Sequence, residues 1–264
     1  MAYHFHQNRK LYFEHQCQNA LTYVIPFIRQ QMQLTAGMKV LEVGCGEGGV
    51  LKAFLNEGLY GVGVELTENK YERSLENLAG EIEKGQCRII HKNIYDPSFE
   101  TEFAAAFDLI VLKDVIEHIP DQERILRKMK TFLKSGGQIY FGFPPWYMPF
   151  GGHQQIAKTK ASKLPWLHVL PNFLYLNIYR AFGETEEVIG WLENIKSTRI
   201  TIEQFEHYAR CAGYSISAKK LYLINPIYKY KFKLKPRRQL PVLDAIPWFR
   251  NFYTTCAYYL IKPL

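Results

Sequence analysis

Two carboxylates, a cluster of glycines and two histidines are the residues of this 264-residue chain whose types and spacing could do chemistry. Gly44-x-Gly46-x-x-Gly49 follows the apolar run Lys39-Val-Leu-Glu-Val43 and precedes a helical pattern over residues 50–57. A glycine-rich turn between a buried strand and a helix lets backbone N–H groups and a helix N-terminus approach a ligand closely. Taken literally, the glycine spacing is that of a dinucleotide site. Two acids redirect it. Glu42 lies inside the strand, where it would repel a pyrophosphate but suits a ligand that presents a cationic or donor group. Glu65 comes 21 residues after Gly44, at the end of the second strand. An acid there accepts hydrogen bonds from ribose hydroxyls and implies a ribose without a 2′-phosphate. His118 and His153 are the candidate proton acceptors, because imidazole titrates nearest neutral pH.

Alternating strands and helices position these groups. Residues 8–33 form a helical lead-in, with Leu11, Tyr12, His15, Asn19, Tyr23 and Phe27 at helical spacing. Runs at 39–43, 60–65, 87–91, 107–112 and 138–143 read as strands. Helices fall between them at 50–57, at 67–78 with Thr67 as cap, and at 121–133 with Asp121 near the start. This order predicts an α/β, doubly wound parallel sheet covered on both faces. Pro144-Pro-Trp-Tyr-Met-Pro149 ends the rhythm, and an aromatic-rich stretch follows to about residue 198. A helix at 201–211 and strands at 215–223 and 252–261 close the chain. Tyr228-Lys-Tyr-Lys-Phe-Lys-Leu-Lys235 alternates at period two and predicts an extended strand with its lysines on one face.

The chain is 47% hydrophobic and 22% charged, too apolar for a disordered or fibrous protein. No run reaches the ~18 apolar residues that span a bilayer. The N-terminal Met1–Lys10 stretch has no apolar core before a cleavage site, so no signal peptide is expected. Five scattered cysteines (17, 45, 87, 211 and 256) form no C-x-x-C pair, which disfavours a disulfide framework or zinc site and makes a reducing cytoplasm the expected compartment. The net charge is +8, and residues 219–238 hold eight Lys/Arg and no acid, leaving 25 basic against 25 acidic residues elsewhere. One basic segment on a neutral body suits a guarded strand edge, an anionic partner or a membrane surface, and disfavours a nucleic-acid coat.

The motifs together resemble those of the class I S-adenosylmethionine-dependent methyltransferases. Val40-Leu-Glu-Val-Gly-Cys-Gly-Glu-Gly-Gly49 is similar to their first motif and Val62-Gly-Val-Glu65 to their second. Phe107-Asp-Leu-Ile-Val-Leu-Lys-Asp-Val-Ile-Glu-His118 with Ile119-Pro-Asp121 is similar to the strand-four motif, and Leu133-Lys-Ser-Gly-Gly-Gln-Ile-Tyr140 to the turn into strand five. The branch most resembled is the small-molecule one that includes the quinone-ring O-methyltransferases. The resemblance implies a Rossmann-like, mostly parallel seven-stranded sheet with an antiparallel C-terminal strand, and an inserted cap. The expected division is a lead-in at 1–35, a cofactor-binding core at 36–143, a cap over the acceptor at 144–198 and a closing segment at 199–264.

It also implies roles. Glu42 and the backbone of Gly44, Cys45 and Gly46 hold the methionine part of the cofactor, with Gly49 completing the turn or only letting the helix pack. Glu65 takes the ribose hydroxyls and Leu66 packs on adenine. Asn93 and Ile94 face the adenine amine; Asn93 departs from the family's usual acid, and Asp96 is the alternative. Lys113 lends its backbone carbonyl, while its side chain either reaches solvent or meets an acidic substrate group. Tyr12 is a candidate cover. His153 and His118 are the candidate bases, and Glu117 reads as a solvated or salt-bridged helix residue. No metal is assigned, since no i, i+4 or close pair of histidines supports a set of His118, His153 and Glu117. The expected reaction is methyl transfer from S-adenosylmethionine to a small-molecule acceptor at a hydroxyl oxygen, leaving S-adenosylhomocysteine. A lipid or quinone acceptor at a membrane surface, an RNA acceptor, and a cofactor-sensing scaffold are the alternatives; oligomeric state stays open.

Overall fold

The structure, a computed structural model, describes residues 9–264. Residues 1–8, and with them most of the stretch read for a signal peptide, lie outside the described residues. The lead-in is helical from Arg9–Asn19 through a π-helical turn, Ala20–Val24, to Ile25–Ile28. Five parallel strands follow: β1 (Lys39–Val43), β2 (Tyr60–Glu65), β3 (Cys87–His91), β4 (Phe107–Lys113) and β5 (Leu133–Phe143). Three antiparallel strands complete the sheet: β6 (Tyr214–Ile224), the two-residue β7 (Arg237–Arg238) and β8 (Cys256–Pro263). The order is β3-β2-β1-β4-β5-β8-β6-β7. Seven strands match the expected set, and Arg237–Arg238 adds an eighth.

The sheet is apolar on both faces because helices cover both. In β1, Leu41 and Val43 enter one core layer and Val40 the other, as the two-residue side-chain period requires. Helices start where the sequence offers caps. Asp121 accepts from the Arg124 N–H at 2.9 Å and opens Gln122–Phe132, which buries Ile125, Leu126, Met129 and Phe132. Thr201 and Gln204 make a reciprocal capping box at the start of Ile202–Cys211. Thr67 precedes Glu68–Asn77, but its side chain makes no capping hydrogen bond.

Residues 144–198 contain short 3-10 turns and two helices, Asn172–Ala181 and Glu186–Ser197, which share a third, separate core around Leu167, Tyr175, Tyr179 and Leu192. Trp146 and His168 are buried with Tyr175 and Tyr179, whereas Trp166 and Phe173 are exposed. Among the described residues no helix is long and apolar enough to cross a membrane.

The basic segment corrects a sequence expectation. Residues 228–232 form a short helix, Tyr228–Phe232, ended by Lys233 at φ +57°, and not an extended strand. Asn225 accepts from the Ile227 N–H at 3.2 Å and turns the chain. Tyr228 and Phe232 then meet edge to face four residues apart, and Tyr230 donates to the Gln18 carbonyl of the lead-in at 3.2 Å. Alternation alone could not reveal this, since its period is overridden by local turn chemistry and by docking onto the lead-in helix.

Candidate active site

The strand order diverges between β1 and β4: β2 and β3 extend to one side, β5 and β8 to the other. Loops leaving the carboxyl ends of β1 and β4 therefore part and open a crevice, the place where ligands bind in open α/β sheets.

The turn after β1 has three left-handed glycines, Gly44 (φ +66°), Gly46 (φ +57°) and Gly48 (φ +86°). At Gly44 a side chain is excluded twice, by backbone sign and because a Cβ would lie 2.8 Å from Val115 Cγ2. At Gly46 no atom lies within 4 Å of the same position, so its backbone faces open space. Gly49 differs: a Cβ there would stand 2.7 Å from the Phe13 carbonyl oxygen, so its role is to let Arg9–Asn19 press on Gly49–Asn56. Cys45 is buried, and burial pushes its thiol pKa well up, as befits a small neutral filler of the turn.

Glu65 binds this turn to the end of β2. Its carboxylate accepts from the N–H groups of Gly46 at 2.9 Å, Leu66 at 3.0 Å and Thr67 at 2.8 Å. Leu66 beside it is 65% exposed, an apolar surface at the crevice. Glu42 is the opposite case. It is buried, its Oε2 has no hydrogen-bond partner, and burial raises its pKa to about 8, against the smaller pull of the Leu51 backbone and of Lys113. Further out, Asn93 accepts from the Tyr95 N–H at 3.0 Å and Ile94 is buried. Asp96 caps the helix Pro97–Phe103 by accepting from Ser98 at 2.8 Å, which holds it below the usual carboxylate range and commits it to that helix.

The segment after β4 departs from expectation. The Lys113 side chain does not reach solvent; it is 5% exposed and pairs with Asp114, which stands at φ +56°. Desolvation works against that ammonium, but the Asp114 charge wins and raises its pKa. Tyr12 lies close enough to feel Asp114, Lys113 and Glu47, and burial raises its pKa; Lys231 sits over its ring at 5.1 Å. Glu117 is neither solvated nor salt-bridged among the described residues. It is 6% exposed and neither carboxylate oxygen receives a hydrogen bond from another residue, so desolvation drives its pKa strongly up.

The loop after β5 brings His153 onto His118. The ring centroids are 4.8 Å apart at an interplanar angle of 87°. Two glycines make this approach feasible: a Cβ on Gly151 would fall 2.1 Å from the Trp146 carbonyl oxygen, and one on Gly152 would fall 2.4 Å from His168 Cβ. His153 itself holds a left-handed φ of +50°. His168 anchors the loop between Gln154 at 3.0 Å and the Trp146 carbonyl at 2.7 Å. Burial pushes the His153 pKa down to about 4 and also lowers that of His118, leaving both imidazoles neutral at physiological pH. The ligand atoms of Glu117, His118 and His153 all lie within 4.8 Å of one another. Beside them Glu117, Pro144, Trp146, His153 and Arg199 line a small recess of about 10 Å³. Asp114 and Lys231 gave no sequence signal of a place in the site, because only the folded sheet edge brings them near His153.

These residues fit S-adenosylmethionine. The buried, unpartnered Oε2 of Glu42 calls for a donor such as an amino-acid ammonium, and the bare backbone at Gly46 beside the Glu65 carboxylate forms a cradle that any Cβ would begin to fill. A family model described as a methyltransferase domain matches residues 13–170. The ubiquinone biosynthesis O-methyltransferase of Coxiella burnetii is 32% identical over 117 residues, 44% of this chain and 47% of that protein. Its counterpart in Leptothrix cholodnii is 28% identical over 114 residues, 43% of this chain and 47% of that protein. The chain thus spans about half the length of the curated relatives it matches. Among solved structures, phosphoethanolamine N-methyltransferase 2 of Haemonchus contortus, in complex with S-adenosyl-L-methionine, superposes with a TM-score of 0.56 at 16% identity, covering 94% of this chain and 52% of that one. Geranyl diphosphate C-methyltransferase of Streptomyces coelicolor A3(2) gives a TM-score of 0.56 at 12% identity over 90% and 79% of the two chains. The structural likenesses are of fold, and the family match runs through the glycine turn, Glu65 and the strand-four motif: the chain belongs to the methyltransferase domain family.

Proposed function

We propose that the protein transfers a methyl group from S-adenosylmethionine to a hydroxyl oxygen of a small molecule held between the sheet edge and residues 144–198. The observation that carries this reading is the buried Glu42 carboxyl at the glycine turn, whose Oε2 has no hydrogen-bond partner. A dinucleotide's pyrophosphate has no place beside it, whereas an ammonium completes it. The bound cofactor supplies a methyl group on a sulfonium, whose departure leaves a neutral thioether. Glu42 and the Gly44–Gly46 backbone hold the amino-acid part, Glu65 the ribose hydroxyls, and Leu66, Asn93 and Ile94 the adenine. Tyr12 covers the crevice from the lead-in side, and Lys113, locked by Asp114, keeps the end of β4 rigid.

The protein's remaining work is alignment and the exclusion of water, which the 144–198 cap performs. His118 and His153, packed ring on ring at the crevice, are the proposed acceptors of the substrate's proton. The likeness to ubiquinone O-methyltransferases supports oxygen over nitrogen or carbon as the methylated atom. A second reading, an apolar acceptor drawn from a membrane surface, is favoured by Phe173 and Phe182 on or beside one cap helix and Trp191 on the other, which are 66%, 50% and 60% exposed. The free cysteines support a reducing cytoplasm. Calorimetry with S-adenosylhomocysteine and NAD tests the cofactor: micromolar binding of the first and far weaker binding of the second is expected, and the reverse order overturns the reading. Radiolabelled methyl transfer to a panel of hydroxylated aromatics then identifies the acceptor.

A further inference from the structure

We propose that Lys231, set over Tyr12 and beside the Lys113–Asp114 pair, is a specificity-determining residue that takes a carboxylate on the methyl acceptor, so that the acceptor is a small hydroxylated acid. The inference rests on the methyl-transfer reading and names the substrate class within it. Lys231 belongs to the alternating run of lysines at 229, 231, 233 and 235. An extended strand would send all four to one face. The helix Tyr228–Phe232 separates them instead: Lys229, Lys233 and Lys235 are exposed, whereas Lys231 is half-buried.

Its neighbour fixes where it points. The Tyr230 hydroxyl donates to the Gln18 carbonyl at 3.2 Å and lies 3.0 Å from the Thr22 hydroxyl, and the Tyr230 ring stands 5.8 Å from that of His15. Tyr230 thus fastens the short helix to the lead-in, and the Lys231 ammonium comes to lie 5.1 Å over the Tyr12 ring. From there its charge is felt by Asp114 after β4 and by His153 in the loop after β5. One lysine of the basic segment therefore faces the crevice, and its neighbours at 229, 233 and 235 face water.

The charge balance of this corner says what it would take. Two ammonium groups, Lys113 and Lys231, stand near one carboxylate, Asp114, which is already paired with Lys113. The other acids nearby do not make up the difference. Desolvation holds Glu117 protonated; Glu47, which reaches Tyr12, is paired with Arg73 at 3.2 Å; Glu14, which acts on His15, is exposed. His118 and His153 are neutral. The excess is one positive charge, which a carboxylate balances and a doubly charged phosphate overshoots. Burial lowers the Lys231 pKa to about 8, although Asp114 pulls it up, so at neutral pH it is a charged, partly desolvated ammonium that an arriving anion stabilises. A carboxylate held there fixes one end of the acceptor and leaves its hydroxyl end for His118 and His153.

The test is calorimetry at pH 7 on the full chain saturated with S-adenosylhomocysteine, titrated with 3-hydroxybenzoate and with 3-hydroxybenzamide, which share a shape and differ in charge. Wild type is expected to bind 3-hydroxybenzoate at least about tenfold more tightly, the scale of one charge-assisted hydrogen bond. Lys231→Gln should erase that preference, whereas Lys235→Gln, the same loss of charge on the exposed stretch, should leave it as in wild type. S-adenosylhomocysteine affinity should stay within about twofold in both variants, which shows that each is folded. Wild type that binds S-adenosylhomocysteine but holds the two probes equally overturns the subsite and leaves the methyl-transfer reading standing. A preference that survives in Lys231→Gln, or that Lys235→Gln loses to the same extent, overturns the subsite too. Wild type that binds no S-adenosylhomocysteine overturns the methyl-transfer reading, and the subsite falls with it.

Discussion

The crevice has two halves built on different principles. The cofactor half is made of backbone. Glu42, Gly44–Gly49 and Glu65–Thr67 are near neighbours in sequence, and the contacts that shape them are N–H groups of Gly46, Leu66 and Thr67 closing on one carboxylate. The acceptor half is made of side chains from distant segments: Glu117 and His118 after β4, His153 in the loop after β5, and Arg199 at the end of the cap. A backbone cradle serves any chain that folds this way, whereas a side-chain site is reset by changing a loop. On the proposed function, the shared half carries the cofactor chemistry and the private half carries acceptor choice.

Breaking the acceptor half should leave the cofactor half intact. His153→Ala is expected to lower methyl transfer by about 10²–10⁴ while S-adenosylhomocysteine affinity stays unchanged, measured by turnover and calorimetry on the same preparation. Equal loss of both would mean that the halves are not separable. The converse variant, Glu65→Ala, removes the acceptor for the ribose and for three backbone N–H groups. It should weaken S-adenosylhomocysteine by about 1.5–3 kcal/mol, the scale of charge-assisted hydrogen bonds, and a change within error would remove Glu65 from the cofactor site. The smallest effect belongs to the basic segment. Neutralising the exposed Lys235, Arg237 and Arg238 should change stability by less than about 0.5 kcal/mol and leave turnover on a water-soluble acceptor untouched. A large, salt-dependent loss of turnover would extend the acceptor half into that segment.

The contrast also explains what the sequence could reveal. The parallel strands, Asp121 as a cap, and the glycine turn with its two acids are local patterns, so they were legible. The basic segment misled because its alternation mimics a strand, while Asn225 and the docking of Tyr230 on the lead-in decide for a helix. Gly49 fits either the cradle or close helix packing by sequence, and the close approach of the Phe13 carbonyl shows that it admits the lead-in helix. Lys113 looked free to reach solvent or substrate because its partner is simply the next residue, Asp114, held at a left-handed φ of +56°. The set of Glu117, His118 and His153 could be named from the sequence but not joined by spacing, since its members are 36 residues apart at the extremes and meet only across the sheet edge.

The central claim rests on Glu42. Burial keeps its carboxyl protonated up to about pH 8 in the folded chain, while the unfolded chain releases the proton near 4.5. The folded state therefore holds the extra proton between those values, and unliganded stability falls as pH rises through that window, by an amount on the order of a few kcal/mol. A ligand ammonium reverses the preference and expels the proton. The most direct measurement is calorimetry of S-adenosylhomocysteine binding at pH 7 in two buffers of different ionisation enthalpy, beside the same titration with NAD. Tight S-adenosylhomocysteine binding with release of nearly one proton in wild type, and no release in Glu42→Gln, is the predicted result. NAD binding the more tightly, or S-adenosylhomocysteine binding with the same proton count in both proteins, would contradict it.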